Sequence, residues 1–269
     1  MHFGVDINDF LLLLIFVFIL FTLFLVLVER KFLATIQRRF GPSIAGRNGW
    51  LQIILDLIKL ATKEFFLIPD ITASLLPLLV VVYFIVQLMF IQNFILGPSL
   101  FFFQNTEGVI FYHLMFTMLS NLILLFIGFL SQSKYSMLGT FRAFIHVISL
   151  DLYVTVVYVI LVFSSASGNF YDYATTQSPV AYSWLFMPLS FTFIIILLLE
   201  SKRAPFDHVE TESEVVAGYA TEFSGVYLLV FYLVEYMHLI ISSMHFVILF
   251  TGSWNFLSIK SLFVWLIII

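Results

Sequence analysis

Long stretches of this chain carry almost no polar residue, and the polar positions between them come in short bursts. Mostly apolar runs occupy 10–29, 75–97, 109–131, 143–166, 183–200 and 222–250. About 20 such residues make a helix long enough to cross a bilayer. The run at 222–250 is longer than one crossing needs, which implies tilt or overhang. A seventh run, 257–269, has only 13 residues. In the first run Thr22 is the only polar residue before Glu29, and Asp6 and Asp9 precede it rather than basic residues. A signal segment has a shorter apolar stretch, about 7–15 residues, behind a positive start, so this run reads as the first crossing.

The stretch 50–67 differs. Gln52, Asp56, Lys59 and Lys63 recur at helical steps and form one narrow stripe, while Trp50, Ile53, Ile54, Leu57, Ile58, Leu60, Ala61 and Phe65 cover the rest. That pattern predicts an amphipathic helix lying in the membrane interface. The turn residues before it, Gly41-Pro42-Ser43 and Gly46-Arg47-Asn48-Gly49, allow the chain to change direction. The expected fold is therefore all-α: one polytopic transmembrane bundle over 1–269, with six full spans, a partial seventh and one interfacial helix. No internal repeat of the kind found in many transporters is visible.

Composition supports this layout. Hydrophobic residues make up 62% of the 269 positions and charged residues 10%, against about 45–50% and about 25% in soluble domains. Apolar surface on that scale needs lipid as its solvent. The few basic residues are scattered among aliphatics, which argues against a nucleic-acid partner and leaves membrane lipids as the surroundings. There is no cysteine, so this chain offers no thiolate for iron–sulfur or zinc ligation. Arg30, Lys31, Arg38, Arg39, Arg47, Lys59, Lys63, Lys134, Arg142, Lys202 and Arg203 all fall in alternate connections, and only Lys260 lies elsewhere. The positive-inside rule puts those connections on the cytoplasmic face, or the matrix face of a mitochondrion, and the N-terminus on the other.

Chemistry concentrates in few places. Six of the sixteen acidic residues, Glu200, Asp207, Glu210, Glu212, Glu214 and Glu222, lie between spans five and six or at their ends. Glu235 lies inside span six and Asp151 inside span four. Carboxylates at membrane depth are expensive and by default functional. A chain of them running from a polar loop into the membrane is what a proton path needs. The plainer alternatives are a solvated acidic loop paired with Lys202 and Arg203, and interhelical hydrogen bonds at Asp151 and Glu235. A second cluster joins Glu29, Arg30 and Lys31 to Gln37, Arg38 and Arg39. Its cations serve as a topology signal, whereas Glu29 does not and suggests an ion pair shaping a cavity. His238 and His245 share a helix face; core or interfacial packing suits the histidines better than haem ligation. No nucleotide-binding glycine motif and no metalloprotease helix motif occurs, and no metal ligand set is expected.

Three motifs, taken together, carry a resemblance. Glu29-Arg30-Lys31 leads through Gln37-Arg38-Arg39-Phe40-Gly41-Pro42 to Gly49-Trp50-Leu51-Gln52 and Asp56; Ser133 to Gly139 is followed by Arg142-Ala143; Glu200-Ser201-Lys202-Arg203-Ala204-Pro205-Phe206-Asp207 leads on to Glu210, Glu212, Glu214, Gly218, Glu222 and Glu235. In this order, over nearly the whole chain, they resemble subunit 1 (the H subunit in bacteria) of the proton-translocating NADH:quinone oxidoreductase, respiratory complex I. The resemblance implies a quinone chamber shaped by Glu29, Arg30, Gln37, Arg39, Asp56, Arg203 and Asp207. It implies a proton path through Asp151, Glu200, Glu210, Glu212, Glu214, Glu222 and Glu235. Ubiquinone is the implied substrate. FMN and iron–sulfur clusters would reside on partner subunits, both the peripheral-arm quinone module and neighbouring membrane-arm chains. The implied location is the mitochondrial inner membrane, or a bacterial plasma membrane, with basic loops on the matrix side and the N-terminus facing the intermembrane space.

Two departures stand out. Asp151 occupies a position where the family usually has Glu. The seventh run stops at Ile269, whereas family members complete that span and add an eighth; about 20 Å of helix in a roughly 30 Å core suggests that a separate polypeptide completes the bundle. The competing classes are a stand-alone proton or cation transporter and the homologous subunit of a membrane-bound hydrogenase.

Overall fold

The computed structural model describes residues 7–64, 75–95, 108–131, 133–166, 180–201 and 223–251, together with Gly168, Tyr173, Thr176, Gln177, Phe206 and Gly218. The seventh run, Arg203, and five of the loop carboxylates (Asp207, Glu210, Glu212, Glu214 and Glu222) lie outside the described residues. Among those described there is no β-strand. The helices are α1 (Ile7–Ile36), α2 (Gln52–Thr62), α3 (Leu76–Ile95), α4 (Val109–Leu130), α5 (Lys134–Ser165), α6 (Tyr182–Leu185), α7 (Met187–Glu200) and α8 (Gly225–Phe246). A 3₁₀ turn occupies Arg47–Gly49, and α8 continues as a π-helical turn over Val247–Thr251.

Among the described residues, three helical stretches are long and apolar enough to cross a membrane: Ile110–Leu130, Lys134–Ser165 and Gly225–Thr251. Shorter apolar helices cover Leu76–Phe90 and Met187–Glu200. Large apolar side chains lie on the outside, with Phe163 83% and Ile145 69% exposed. That arrangement is unfavourable in water and suits a hydrocarbon surround. The described residues form two compact units. The first takes Met1–Phe84 and Phe223–Met237, the second Ile85–Glu222 and His238–Ile269.

In the first unit, the start of α8 packs its Phe231 and Val234 into the core, and Tyr83 of α3 lies against Phe231 with ring centres 6.3 Å apart. The cluster Glu29-Arg30-Lys31 is the last part of α1 rather than a loop, because the helix runs on to Ile36. The return to α2 is made by a tight turn. Gly46 and Gly49 have φ of 74° and 75°, and a Cβ on Gly49 would stand 2.1 Å from the Pro42 carbonyl oxygen. Only glycine fits such an approach. The turn lays Trp50 against Phe24 of α1, with ring centres 5.3 Å apart and stacked. Within the predicted amphipathic stretch 50–67, Gln52–Thr62 is helical and Lys63 is extended, while 65–67 lie outside the described residues.

In the second unit, α4 and α5 form a hairpin whose turn is built from serines. Ser133 accepts from the Ser136 amide at 3.2 Å and caps α5. Ser131 and Ser136 both donate to the Gly128 carbonyl, at 2.7 and 2.6 Å. With its first turn capped, α5 starts at Lys134, well before the apolar run that begins at 143. The run 183–200 is broken at Phe186. Pro188 cannot donate to the carbonyl four residues back and its ring crowds it. Ser190 answers by donating to Met187 and Ser183 carbonyls at 2.9 and 3.3 Å. At the end of α8 the buried Gln177 amide donates to the Leu249 and Ile248 carbonyls at 2.9 and 3.4 Å. A π-turn disturbs the regular ladder, and polar backbone in an apolar surround needs a partner.

Candidate functional site

The exit of α1 gathers polar side chains from three elements of the first unit. Arg30 donates through Nη1 to the Asp56 carboxylate, which also accepts from Gln52 Nε2 at 3.0 Å. Lys31 Nζ donates to the Asn48 carbonyl and so ties the glycine turn to α1. From α8, the Tyr236 hydroxyl donates to Glu29 Oε2 at 2.9 Å, joining residues 207 positions apart. Helical spacing accounts for part of this: Gln52 and Asp56 are one turn apart on α2 and face the same way. The rest follows from the turn, which folds α2 back against α1.

Arg30 and Asp56 thus come together, and Glu29 pairs separately with Tyr236. Gln37 and Arg39 do not join them; the Arg39 Nε donates to Gln37 Oε1 at 2.7 Å on the exposed turn beyond α1. Arg38 there has φ 54°, which breaks the helix. Arg30 is half exposed and Asp56 a third exposed, so the pair borders solvent or a partner rather than sitting in a core. Glu235 lies half-buried on α8 next to Tyr236.

The second unit holds Asp151 and Glu200, the remaining described carboxylates among the predicted site residues. Asp151, midway along α5, accepts from Asn121 Nδ2 of α4 at 3.1 Å. That acid therefore makes an interhelical hydrogen bond. Glu200, the last residue of α7, lies 3.5 Å from His238 Nε2 of α8, and both side chains are nearly covered. The same cavity contains His113 and Tyr158. His113 Nε2 and His245 Nδ1 are hydrogen-bonded at 2.9 Å, and the Tyr158 hydroxyl lies 3.5 Å from His113 Nδ1. The two rings form a hydrogen-bonded pair. Between α5 and α6, the Tyr173 phenol is pushed up to about 12, first by burial and then by nearby Tyr182, against an opposing hydrogen bond from Ser165. It stays neutral and serves packing.

Sequence reasoning passed over Tyr236, Asn121, Tyr158 and the partnership of His113 with His245. Asn121 and the two histidines were visible as polar residues inside apolar runs. Nothing in their spacing said which of them meet.

The arrangement defines a class: a helical membrane protein with charged groups at the end of its first helix and hydrogen-bonded acids and imidazoles within its apolar helices. A family model described as NADH dehydrogenase matches residues 9–269. The NADH-ubiquinone oxidoreductase chain 1 of Paramecium tetraurelia is 34% identical over 217 residues, covering 81% of this chain and 83% of that one. The protein of the same name from Yarrowia lipolytica is 34% identical over 203 residues, and the H subunit of the NADH-quinone oxidoreductase of Vesicomyosocius okutanii is 33% identical over 218. The match takes in 76% and 80% of this chain but only 59% and 61% of those two. This chain belongs to the NADH dehydrogenase family whose members include complex I subunit 1 and its bacterial H counterpart.

Proposed function

We propose that this chain is the membrane-arm subunit that forms part of the quinone chamber and the start of the proton-coupling path in a proton-translocating NADH:ubiquinone oxidoreductase of the mitochondrial inner membrane. The family membership over residues 9–269 carries the reading. The Arg30–Asp56 pair and the Tyr236–Glu29 hydrogen bond at the exit of α1 support it. The proposed chamber takes Glu29, Arg30 and Asp56 from this cluster, Gln37 and Arg39 from the turn, and Arg203 and Asp207 from the loop after α7. The proposed path continues through Glu200, Glu210, Glu212, Glu214 and Glu222 to Asp151 and Glu235. In this reading the chain is one membrane domain with six crossings, its basic connections on the matrix side among lipids and partner subunits.

Reducing a quinone to the quinol takes two electrons and two protons. The electrons come from partner chains, where FMN and iron–sulfur clusters are expected. Negative charge arriving on the quinone draws protons toward it, and carboxylates nearby respond by gaining or releasing them. The effect is strongest where water is excluded. Arg30, held by Asp56, supplies a fixed positive charge at the chamber edge. Glu29, fixed by Tyr236, supplies a carboxylate whose position does not drift when the charge changes. The transporter and hydrogenase readings draw no support from relatives named as NADH–quinone oxidoreductase subunits.

The test is purification of the native assembly in mild detergent. The chain is expected to migrate with NADH-oxidising, iron–sulfur-containing subunits, and an azido-quinone is expected to label the segment from Glu29 to Asp56. Migration alone, or with a nickel-containing partner, overturns the assignment. Glu235→Gln is expected to assemble and to lose proton-coupled turnover; unchanged turnover and pumping removes Glu235 from the path.

A further inference from the structure

Four of the five elements that enclose the cavity of the second unit contribute groups able to hold or relay a proton. From α4 come His113 and Thr117, from α5 Tyr158, from α7 Glu200, and from α8 His238, Ser242 and His245; α3 contributes only Phe90. Phe90 closes over both imidazoles of the inner pair, its ring centre 4.3 Å from His113 and 5.6 Å from His245. The cavity thus has two ends. At one, Glu200 lies 3.5 Å from His238. At the other, His113 and His245 share a hydrogen bond at 2.9 Å. His238 and His245 are seven residues apart on one helix, roughly 10 Å along the axis, with Ser242 between them. The free space admits the centre of a water over about 10 Å³, which is about what one water needs.

We infer that the His113–His245 pair is a proton-holding site inside the membrane, loaded from Glu200 by way of His238, the Ser242 hydroxyl and one water. The inference rests on the proton-coupling role proposed above and adds residues to it that neither the family motifs nor the carboxylate pattern include.

The chemistry follows from the imidazole. Each neutral ring carries one N–H and one lone pair. In the pair, one ring donates to the other across the 2.9 Å contact, whichever tautomer is present, so one outer nitrogen keeps a lone pair: Nε2 of His245 or Nδ1 of His113. Loading breaks the O–H bond of the Glu200 carboxyl and forms a third N–H bond on the pair. The carboxyl becomes carboxylate, and the pair becomes a singly charged cation sharing its central proton. His238 takes the proton at one ring nitrogen and gives one up at the other, so it ends neutral in the opposite tautomer, and the reverse transfer resets it. Unloading is the reverse. The whole displacement stays within one cavity, so the positive pair and the negative carboxylate face each other across low-dielectric space, where their attraction is strong. An isolated charge at that depth would be costly. Tyr158, 3.5 Å from His113 Nδ1, donates to that nitrogen when it is bare and accepts from it when it is protonated, so both states keep a partner.

The test uses the intact assembly with isotope-labelled histidine and infrared difference spectra, recorded on a pH jump and on quinone reduction. The expected result is a shift of imidazole ring bands from the neutral to the protonated form, with a reciprocal loss of a carboxyl C=O band. The imidazole shift is lost in His245→Asn and in Glu200→Gln. NADH oxidation with quinone is expected to continue in His245→Asn with fewer protons moved per electron pair. Unchanged histidine bands in the parent enzyme overturn the inference without reference to any variant. So does a shift that persists in His245→Asn, or an unchanged proton yield in that variant. Should the assembly fail to reduce quinone at all, the functional reading fails instead; the pH-jump bands decide the histidine site independently.

Discussion

Replacing Gly49 by alanine is expected to open the turn that docks α2 on α1, at a cost that can be worked from the geometry. The φ of 75° places residue 49 in the left-handed region, which costs an L-residue about 1–2 kcal/mol. The new Cβ would meet the Pro42 carbonyl oxygen at 2.1 Å and its carbon at 2.6 Å. Both are backbone atoms, so relief requires moving the turn, and overpacking of this kind costs about 1–3 kcal/mol. The sum is about 2–5 kcal/mol. At about 1.4 kcal/mol per tenfold, the open population rises by a factor of about 30 or more. Gly46→Ala is the control. Its φ of 74° with ψ of −176° strains an L-residue by about 1–3 kcal/mol, but its Cβ meets only the Leu51 side chain, at 2.8 Å, which can turn aside. The assay is the rate of tryptic cleavage after Arg47 in detergent-solubilised protein, which follows the open population when reclosing is fast. Gly49→Ala is expected to be cut several-fold faster than Gly46→Ala, and to lose the Lys31 bond to the Asn48 carbonyl. Equal rates for the two variants would refute the steric argument.

Three further outcomes follow from single contacts. Tyr236→Phe removes the donor to Glu29 and is expected to cost about 1–2 kcal/mol, at the low end for a bond to a charged group because both residues are only half-buried; a double-mutant cycle with Glu29→Gln, read by thermal unfolding, should show most of that energy as coupling. Arg30→Ala is expected to change stability by less than about 1 kcal/mol, since the ion pair with Asp56 is largely exposed, while quinone turnover falls; a loss of stability without loss of turnover would assign the pair to structure. Gln177→Leu leaves the Ile248 and Leu249 carbonyls short of a buried donor and is expected to cost about 1–3 kcal/mol, seen as a lower unfolding temperature with quinone affinity unchanged.

Much of the helix layout was legible along the chain because most of the long helices here are built on largely apolar runs bounded by turn chemistry. The differences sit where a polar residue acts locally. Ser133 starts α5 ahead of its apolar run, Pro188 splits the run at 183–200, and α1 carries its charges through Glu29 and Arg30 before ending at Ile36. Site residues were legible by type and less so by company. The acids and cations at the end of α1 stood out because charge is rare in this sequence. That Gln37 and Arg39 would bond each other, and not join Arg30 and Asp56, depends on the backbone reversal at Arg38, which no spacing encodes.

Taken alone, the sequence determined that the chain is helical, that lipid is its solvent, and that its charges collect in few places. These follow from local quantities: run length, residue type and the cost of polar groups in hydrocarbon. Tertiary structure decided who meets whom. His113 finds His245 across 132 residues and Tyr236 finds Glu29 across 207, because helix packing brings together side chains whose separation in sequence carries no information about their distance in space. The apolar runs that define the helices are nearly interchangeable as hydrophobic surface, so the choice of neighbour rests on the shape of the packed side chains and on hydrogen bonds that exist only once the helices have come together.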